Sequence, residues 1–291
     1  MHYVNVKSIL SNKNGMNLYR GCTHGCIYCD SRSSIYNMNH DFEDVEVKAN
    51  SLELLRKALK NKKDRVMVGM GSMSDPYMPL EDELKYTRGA MELVYKYSHG
   101  FTCITKSDLI LRDFDLLKKI NEKSKAVVQM TLTCMDDELS SIIEPNVCTT
   151  TRRLEVLSTL RDNGIPTVAW LTPVLPYITD NVENISTILD ECIDLDVKGI
   201  ICFGMGMTLR DKNRQHYYRK LDEQFPGLKE RYVKEFGASY AIRSPNNDEL
   251  MKLFYRKTGD AGIMNSPDEI FKYLGEYPGK NKSRQTRLFT L

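Results

Sequence analysis

Short β-rich runs alternate with amphipathic helical segments along most of this 291-residue chain. The predicted strands are 17–20, 65–70, 101–106, 126–133, 167–171 and 199–203. Stripes of apolar residues at helical spacing lie between them, in segments 51–60, 81–97, 151–163 and 184–196. This alternation predicts right-handed βαβ units and a parallel sheet. Six units predict an α/β fold, a partial (β/α)6 barrel with its active site at the carboxyl ends of the strands.

The last quarter of the chain has a different pattern. From about Asn213 onward the apolar positions recur at helical spacing, as at Phe225, Leu228 and Tyr232. No internal repeat, low-complexity tract or long linker marks an independent second domain. We therefore expect a barrel core over residues 1–212 and a helical extension over residues 213–291 that packs on it.

Composition and charge indicate which partners and which cellular compartment to expect. The chain has 41 basic and 39 acidic residues, which gives no strong overall attraction to nucleic acid or to a membrane surface. No apolar run reaches the roughly 18 residues of a membrane span, and the first residues do not read as a secretory signal. We expect a cytoplasmic protein with no membrane partner, in which the eight cysteines are reduced thiols.

Three of the cysteines are crowded into one short loop. Cys22, Cys26 and Cys29 have C-x3-C-x2-C spacing in RGCTHGCIYCD, directly after the first predicted strand. Three thiolates on one loop can hold three irons of a cubane and leave the fourth iron open. A zinc site with three cysteines and a water is the alternative, since His24 is cramped as a fourth ligand. The scattered cysteines are expected to pack as small apolar residues: Cys103, Cys134, Cys148, Cys192 and Cys202.

With Tyr28 just before its third cysteine, this motif resembles the signature of the radical S-adenosylmethionine superfamily. Further segments, among them GSMSDPYMPLE, TKSDLILRDFDLL and LTPVLPYITDN, resemble its spore photoproduct lyase-like branch, often labelled as DNA repair photolyases. The resemblance covers residues 19–208 and, more weakly, the QTRLF near the C-terminus.

The resemblance implies a [4Fe-4S] cluster held by the three cysteines. Its open iron would bind the amine and carboxylate of S-adenosylmethionine, and an injected electron would cleave this cofactor to a 5′-deoxyadenosyl radical that abstracts hydrogen from a substrate. A reductant such as flavodoxin or ferredoxin is implied as a partner. The resemblance also implies that Tyr28 is one of the residues that bind the cofactor.

Residues near the ends of the predicted strands are the candidates for binding the cofactor. Gln129, Thr131 and Thr133 alternate onto one face of their strand, and we expect them to point into the barrel and line a ribose site. The alternative is an edge strand facing water. Lys106 ends its strand and is expected at the barrel mouth, where it would meet the cofactor carboxylate, or else as a surface lysine.

The segment after the second predicted strand supplies further candidates. The resemblance implies a backbone or small polar contact to the methionyl amine at Gly71 and Ser72, although a tight turn would equally require the glycine. Asp75 and Tyr77 are expected over the mouth, where they would bind substrate or organise the turn before the next helix.

The same segment departs from the pattern of spore photoproduct lyases, which place a cysteine hydrogen donor there. Here it reads GMGSMSDPYM, which argues against thymine-dimer repair by that route. Cys134, at the end of the fourth predicted strand, is the remaining candidate for a catalytic hydrogen donor. A packing role is its alternative.

By family analogy, the substrate is expected to be a nucleic acid or a nucleotide, with a small molecule or peptide as the alternative. Segment 210–219 with Tyr217 and Tyr218 is a candidate for phosphate and base contacts, or else a solvated surface. A basic stretch near the C-terminus is a second candidate: Lys280, Lys282, Arg284 and Arg287.

Two other functional classes are alternatives to the radical enzyme. An electron-transfer or redox-sensing protein would hold a cluster without catalysis, but it would need neither an inward-facing polar strand nor a cofactor-sized pocket. A zinc-dependent nucleic-acid binder would contain zinc without iron or sulfide.

Overall fold

A computed structural model describes residues 1–278. Its strands are β1 His2–Val4, β2 Gly15–Met16, β3 Tyr19–Arg20, β4 Glu46–Lys48, β5 Met67–Met70, β6 Gly100–Thr105, β7 Ala126–Thr131, β8 Thr167–Trp170, β9 Gly199–Ile201, β10 Gly206–Thr208 and β11 Ala241–Arg243. Its α-helices are α1 Ser51–Asn61, α2 Glu81–Leu84, α3 Tyr86–Lys96, α4 Phe114–Lys123, α5 Asp137–Ile143, α6 Thr150–Asp162, α7 Val182–Asp194, α8 Asn213–Gln224, α9 Leu228–Phe236, α10 Asn247–Asp260 and α11 Pro267–Gly275. Short 3₁₀ helices cover Asp30–Arg32, Ser34–Tyr36 and Asp108–Asp113.

Six strands form the main sheet in the order β2-β5-β6-β7-β8-β9, and every neighbouring pair is parallel. The order in space follows the order in the chain, and helices connect the strands from β5 to β9. Every residue of β7 is buried, as expected for a central strand covered on both faces. The predicted α/β fold, a partial (β/α)6 barrel, is confirmed.

The first strand of the main sheet differs from the prediction. It is β2, and the predicted segment 17–20 instead contributes β3 to a separate three-stranded sheet. There β3 pairs antiparallel with β4, and β4 pairs parallel with β1. Such short strands carry too little local pattern to specify their partners, because pairing depends on segments far apart in the sequence.

The predicted helix over 81–97 is two helices. Lys85 adopts a left-handed conformation with φ of 56°, which ends α2 and starts α3. The side chain of Glu81, at the start of α2, is fully buried and accepts hydrogen bonds from the Tyr19 hydroxyl and the Arg112 guanidinium. These tertiary contacts hold α2 in place as a short helix separate from α3.

The C-terminal part is helical as expected, except at β11. This strand pairs antiparallel with β10 and so brings Ile242 and Arg243 to the carboxyl end of the main sheet. Leu250 and Phe254 of α10 pack into the main hydrophobic core. The division between residues 212 and 213 stays a prediction.

Two further findings concern the expected partners. Within residues 1–278, no helix is both long enough and apolar enough to cross a lipid bilayer. The basic residues Lys280, Lys282, Arg284 and Arg287 lie outside the described residues.

Candidate active site

A cavity of about 1180 Å³ opens at the carboxyl ends of the main-sheet strands. Successive strands from β5 to β9 each contribute a lining residue at or just after their ends, namely Gly71, Lys106, Thr131, Trp170 and Cys202. All three cysteines of the C-x3-C-x2-C loop line the same cavity. The volume exceeds the 300–1,000 Å³ typical of a pocket for one small ligand. A cofactor and part of a second molecule can therefore occupy it together.

The cysteine loop is attached to two neighbouring segments through its backbone. The Cys22 N–H donates to the Phe42 carbonyl at 3.1 Å, and the Ile27 N–H donates to the Ile143 carbonyl at 3.0 Å. Gly21 has a φ of 89°, and a Cβ atom there would lie 2.4 Å from the Phe42 carbonyl oxygen. Glycine is therefore required at this close approach.

The three thiols, as placed, are not all close enough together to bind one tetrahedral ion. Within the described part of the chain, the sulfurs of Cys22, Cys26 and Cys29 do not all lie within 4.8 Å of one another. A tetrahedral zinc with Zn–S bonds of about 2.3 Å would draw its sulfurs to about 3.8 Å apart. In a cubane each cysteine binds a different iron, so its thiolates stand further apart.

Burial also keeps two of these thiols protonated in the absence of a metal. Burial raises the pKa of Cys22 to about 12 and also raises the pKa of Cys26. Both are therefore neutral at pH 7 unless a metal displaces the proton. All eight cysteines are free, so none of these thiols is used in a disulfide.

His24, inside the loop, connects it to the strand ends. Its ring is buried, with Nδ1 3.2 Å from the Asn146 carbonyl oxygen and Nε2 3.2 Å from Asp75 Oδ2. Both neighbours are oxygen acceptors, so each ring nitrogen lies beside an acceptor. Asp75 also accepts hydrogen bonds from the Thr105 hydroxyl at 2.7 Å and the Lys106 N–H at 2.9 Å. This chain of contacts ties the cysteine loop to the end of β6.

Asp75 is an ionised carboxylate within this connection. Burial alone would raise its pKa, but His24 and the hydrogen bonds to Thr105 and the Tyr77 N–H lower the pKa to about 2. Because these contacts occupy both of its oxygens, Asp75 lines the cavity mainly as a connector.

Lys106 places a positive charge in the cavity wall. Its ammonium lies 5.8 Å from the centre of the Tyr28 ring, and among the described residues no ion pair or hydrogen bond is made by Nζ. Burial would lower the pKa of Lys106, but Cys26, Glu144 and Asp75 together raise it. A protonated lysine that faces a cavity without its own counter-ion is suited to bind an anionic ligand group.

A buried ion pair supports the wall behind Tyr28. Glu144 and Arg153 have fully buried side chains with 2.5 Å between Oε2 and Nη2, and the Tyr28 hydroxyl donates to the Glu144 carboxylate. Burial alone would raise the pKa of Glu144, but Arg153 and Lys106 hold it below its usual value. Arg153 also donates to the Thr131 carbonyl at 3.1 Å. The pair thereby connects the aromatic ring beside Cys26 with the end of β7.

Comparisons with known proteins agree with this geometry. Residues 16–192 match the family model of the Radical SAM superfamily, which is more than half of the chain. The chain belongs to the radical SAM superfamily of enzymes. A spore photoproduct lyase variant with bound AdoMet and dinucleoside spore photoproduct has the same fold, with a TM-score of 0.65, 13% identity, and coverage of 91% of this chain and 80% of that one.

Two uncharacterised relatives share more sequence with this radical SAM protein. One from Methanocaldococcus jannaschii is 35% identical over 61% of this chain and 66% of its own length. One from Mycobacterium bovis is 29% identical over 75% of this chain and 65% of its own length. The match therefore spans slightly less than two thirds of either relative.

Several residues predicted from the sequence meet in the radical SAM cavity. Its lining includes the three loop cysteines together with Tyr28, Gly71, Ser72, Asp75, Lys106 and Thr131. Gln129 and Thr133 do not line it. Gln129 lies deeper in the barrel, where its amide donates to Thr102 Oγ1 and accepts from Trp170 Nε1, both at 2.8 Å. The Thr133 hydroxyl, beyond the end of β7, donates to Glu144 at 3.3 Å.

Two further candidates lie outside the cavity lining, and the roles suggested for them stay predictions. Tyr77 does not lie over the mouth: it is fully buried, outside the cavity lining, and its hydroxyl donates to Met91 Sδ at 3.3 Å. The Cys134 thiol does not project into the cavity and donates instead to the Asp136 carbonyl at 3.4 Å. The thiol that does line the cavity from a strand end is Cys202, which was expected only to pack.

The 210–219 segment is mostly engaged within the chain. Arg214 donates to the backbone carbonyls of Leu209, Gly237, Ala238 and Ser239. Tyr217 is fully buried against Tyr232. Arg214 and Tyr217 therefore support their own helices, whereas Arg219 is 65% exposed, and phosphate or base contacts by this run stay a prediction.

Replacing Gly71 with alanine is expected to destabilise the cavity wall. Gly71 has a φ of 100°, and an added Cβ atom would lie 2.3 Å from the Ile104 carbonyl oxygen. Gly204 has a similar φ of 108°, but its nearest neighbour, Asn247 Oδ1, would be 3.4 Å away. Gly204→Ala thus measures the backbone cost alone, about 1–3 kcal/mol. Denaturant unfolding should show a further loss of about 1–3 kcal/mol for Gly71→Ala, and equal losses would contradict the predicted clash.

Proposed function

We propose that this chain binds a [4Fe-4S] cluster through Cys22, Cys26 and Cys29 and reductively cleaves S-adenosylmethionine. The bound cluster would supply the electron that releases a 5′-deoxyadenosyl radical, which takes a hydrogen atom from the substrate. The observation that carries this proposal is the placement of three separated thiols and the unpaired Lys106 ammonium around one cavity at the strand ends. A cytoplasmic location and a reductant such as flavodoxin or ferredoxin belong to the same proposal.

Residues of the cavity wall have distinct roles in this proposal. Lys106 binds the methionyl carboxylate, because its ammonium is the cation without its own counter-ion in the wall. Gly71 and Ser72 allow the methionyl amine to approach the backbone closely. Thr131, at the end of β7, offers a hydroxyl to the ribose. Tyr28 covers Cys26, held by its hydrogen bond to Glu144.

Lys106→Met is expected to weaken S-adenosylmethionine binding about 10- to 100-fold, or about 1.4–2.8 kcal/mol, because it removes a charge-assisted contact. The measurement is anaerobic calorimetry on reconstituted protein. The control is Lys125→Met, since Lys125 is also half-buried and lies over an aromatic ring, at 3.8 Å from the Tyr273 centroid, but is outside the cavity lining. Equal affinities for Lys106→Met and the wild type would contradict the assigned role.

The test of the proposed activity is anaerobic reconstitution with iron and sulfide, reduction with dithionite, and measurement of 5′-deoxyadenosine released from S-adenosylmethionine. Release dependent on reductant supports the enzyme. A protein that retains zinc and takes up neither iron nor sulfide would support the zinc-binding alternative. A stable cluster that neither binds nor cleaves S-adenosylmethionine would support electron transfer.

For the substrate we propose a nucleic acid or nucleotide. Trp170 and Phe203 line the cavity with centroids 6.1 Å apart, and Phe271 packs against them at 6.0 Å and 6.3 Å. Phe203 is 61% exposed, and the largely exposed Arg243 also lines the cavity. Exposed rings stack on unpaired bases, and arginine contacts phosphate. A spore photoproduct lyase holds a dinucleoside spore photoproduct in one solved structure.

Phe203→Ala is expected to weaken binding of a single-stranded oligonucleotide by about 1–3 kcal/mol, through loss of one stacking contact. Fluorescence anisotropy at fixed salt measures this. Tyr3→Ala is the control, because Tyr3 is 55% exposed but lies on β1, outside the cavity lining. If the wild type does not bind the oligonucleotide, or both variants bind as the wild type does, the nucleic-acid proposal is wrong while the cofactor chemistry stands.

A further inference from the structure

A second group of metal-ligating side chains lies outside the cavity. His2, His40 and Asp44 each offer one ligand atom, and these three atoms lie within 4.8 Å of one another. His2 Nδ1 is 3.0 Å from Asp44 Oδ2, and the two imidazole rings meet edge-on with centroids 4.9 Å apart. None of the three residues lines the active-site cavity.

The small three-stranded sheet brings these residues together. His2 begins β1 and stands opposite Glu46, the first residue of β4. His40 and Asp44 lie on the loop that leads into β4, and all three side chains are partly exposed. A solvated ion can therefore reach the group without opening the core.

Both ring nitrogens of His40 contact oxygen atoms of residues next to the group. Its Nδ1 lies 2.9 Å from the Asp41 carbonyl oxygen, and its Nε2 lies 2.9 Å from Glu46 Oε1. A backbone carbonyl on one nitrogen is the usual outer contact of a metal-bound imidazole, and it leaves the other nitrogen as the ligand. Both His40 Nε2 and His2 Nδ1 thus lie beside carboxylate oxygens, His40 Nε2 at 2.9 Å from Glu46 and His2 Nδ1 at 3.0 Å from Asp44.

We infer that His2, His40 and Asp44 form a binding site for a divalent transition metal ion of the zinc class. Two imidazole nitrogens and one carboxylate are a usual zinc ligand set, with a water in the fourth position. Ligand atoms at about 2.0–2.1 Å from a tetrahedral ion are about 3.3 Å apart, close to the 3.0 Å between His2 and Asp44. Small rotations of these partly exposed side chains would bring the remaining ligand atoms, which lie within 4.8 Å of one another, to the same separation.

Such an ion would stabilise the segment around Phe42, to which the cysteine loop is hydrogen-bonded. Phe42 lies between His40 and Asp44 in the chain, and its carbonyl accepts the Cys22 N–H at 3.1 Å. The Asp44 carboxylate also pairs with the Met1 amine at 3.0 Å, a contact that the ion would supplement or displace. The inferred role is structural and separate from the chemistry proposed for the cavity.

The test uses the full chain without an affinity tag, with its cluster reconstituted so that the loop thiols are occupied. Zn²⁺ titration by calorimetry should show one equivalent bound, and the difference spectrum between protein with and without added Co²⁺ should show d–d bands without a new thiolate charge-transfer band. Asp44→Asn and His40→Gln should each lower the affinity roughly 10- to 100-fold or more. His216→Gln, at a half-buried histidine on α8 that is not one of the three ligands, should leave it unchanged.

Asp44→Asn keeps the size of a partly exposed side chain and so serves even if His40→Gln fails to fold, which circular dichroism would reveal. Absence of Zn²⁺ binding, unchanged affinity in Asp44→Asn, or a charge-transfer band showing thiolate ligands would each overturn the inference. S-adenosylmethionine cleavage is measured separately, so failure of this site and failure of the proposed enzyme activity are distinguishable.

Discussion

Cys26→Ala is expected to eliminate the bound cluster and to lower 5′-deoxyadenosine release by more than about 100-fold. The loop offers three thiols, and removal of one leaves an iron without its protein ligand. Cys202, the other cysteine in the cavity lining, follows β9 and does not belong to this loop. Iron and sulfide analysis together with the cleavage assay measures both effects, and the same loss is expected for Cys22→Ala and Cys29→Ala.

The matched control is Cys192→Ala. Cys192 is fully buried on α7 and does not line the cavity, so this variant removes the same atoms from a place without a ligand role. It should keep its iron and its cleavage activity. Full cleavage by Cys26→Ala, or equal losses in both variants, would show that the loop does not hold the cluster.

Glu144→Gln is expected to destabilise the fold by about 3–5 kcal/mol, because the Arg153 guanidinium would remain buried without its carboxylate. Both side chains are fully buried, so water cannot replace the lost partner. Urea unfolding at pH 7 measures the change. Glu138→Gln is the control, since Glu138 is exposed at the start of the neighbouring helix α5, and it should cost only a few tenths of a kcal/mol.

The difference in unfolding free energy between the wild type and Glu144→Gln should depend on pH, because Glu144 is ionised in the folded protein. Its pKa in the folded protein lies below the usual value, so its contribution is fully present above the unfolded pKa of about 4.3 and is lost as pH falls through the folded pKa. The stability gap between wild type and Glu144→Gln should be widest near neutral pH and narrow in acid. A gap that stays constant with pH would contradict an ionised Glu144.

The ion pair also illustrates what sequence reasoning missed. Arg153 occupies the apolar stripe of α6 together with Val156, Leu157 and Leu160, all of them buried. A charged residue on such a stripe is a signal that it meets a buried partner, since an isolated charge is not stable there. The partner, Glu144, lies outside that helix, and nothing in the local pattern identifies it.

The ends of β7 and β9 show where strand-by-strand reasoning fails. Alternation places Gln129, Thr131 and Thr133 on one face, but the structure separates them along the barrel. Thr131 reaches the cavity, while Gln129 is satisfied by Thr102 and Trp170 on the neighbouring strands. At the end of β9, Cys202 lines the cavity, although its sequence context is that of an ordinary core cysteine.

The sequence by itself determined the α/β class, the parallel order of the strands from β5 to β9 and the spacing of the three loop cysteines. These are local properties: the alternation of strand and helix periods leaves few topologies, and the ligand spacing lies within eight residues. Only the tertiary structure decided the pairing of β3 with β4, the Glu144–Arg153 pair, the contacts that use Asp75, and the meeting of His2 with His40 and Asp44. Each of these depends on side chains or strands from separate segments, whose distance is set by the packing of the whole chain.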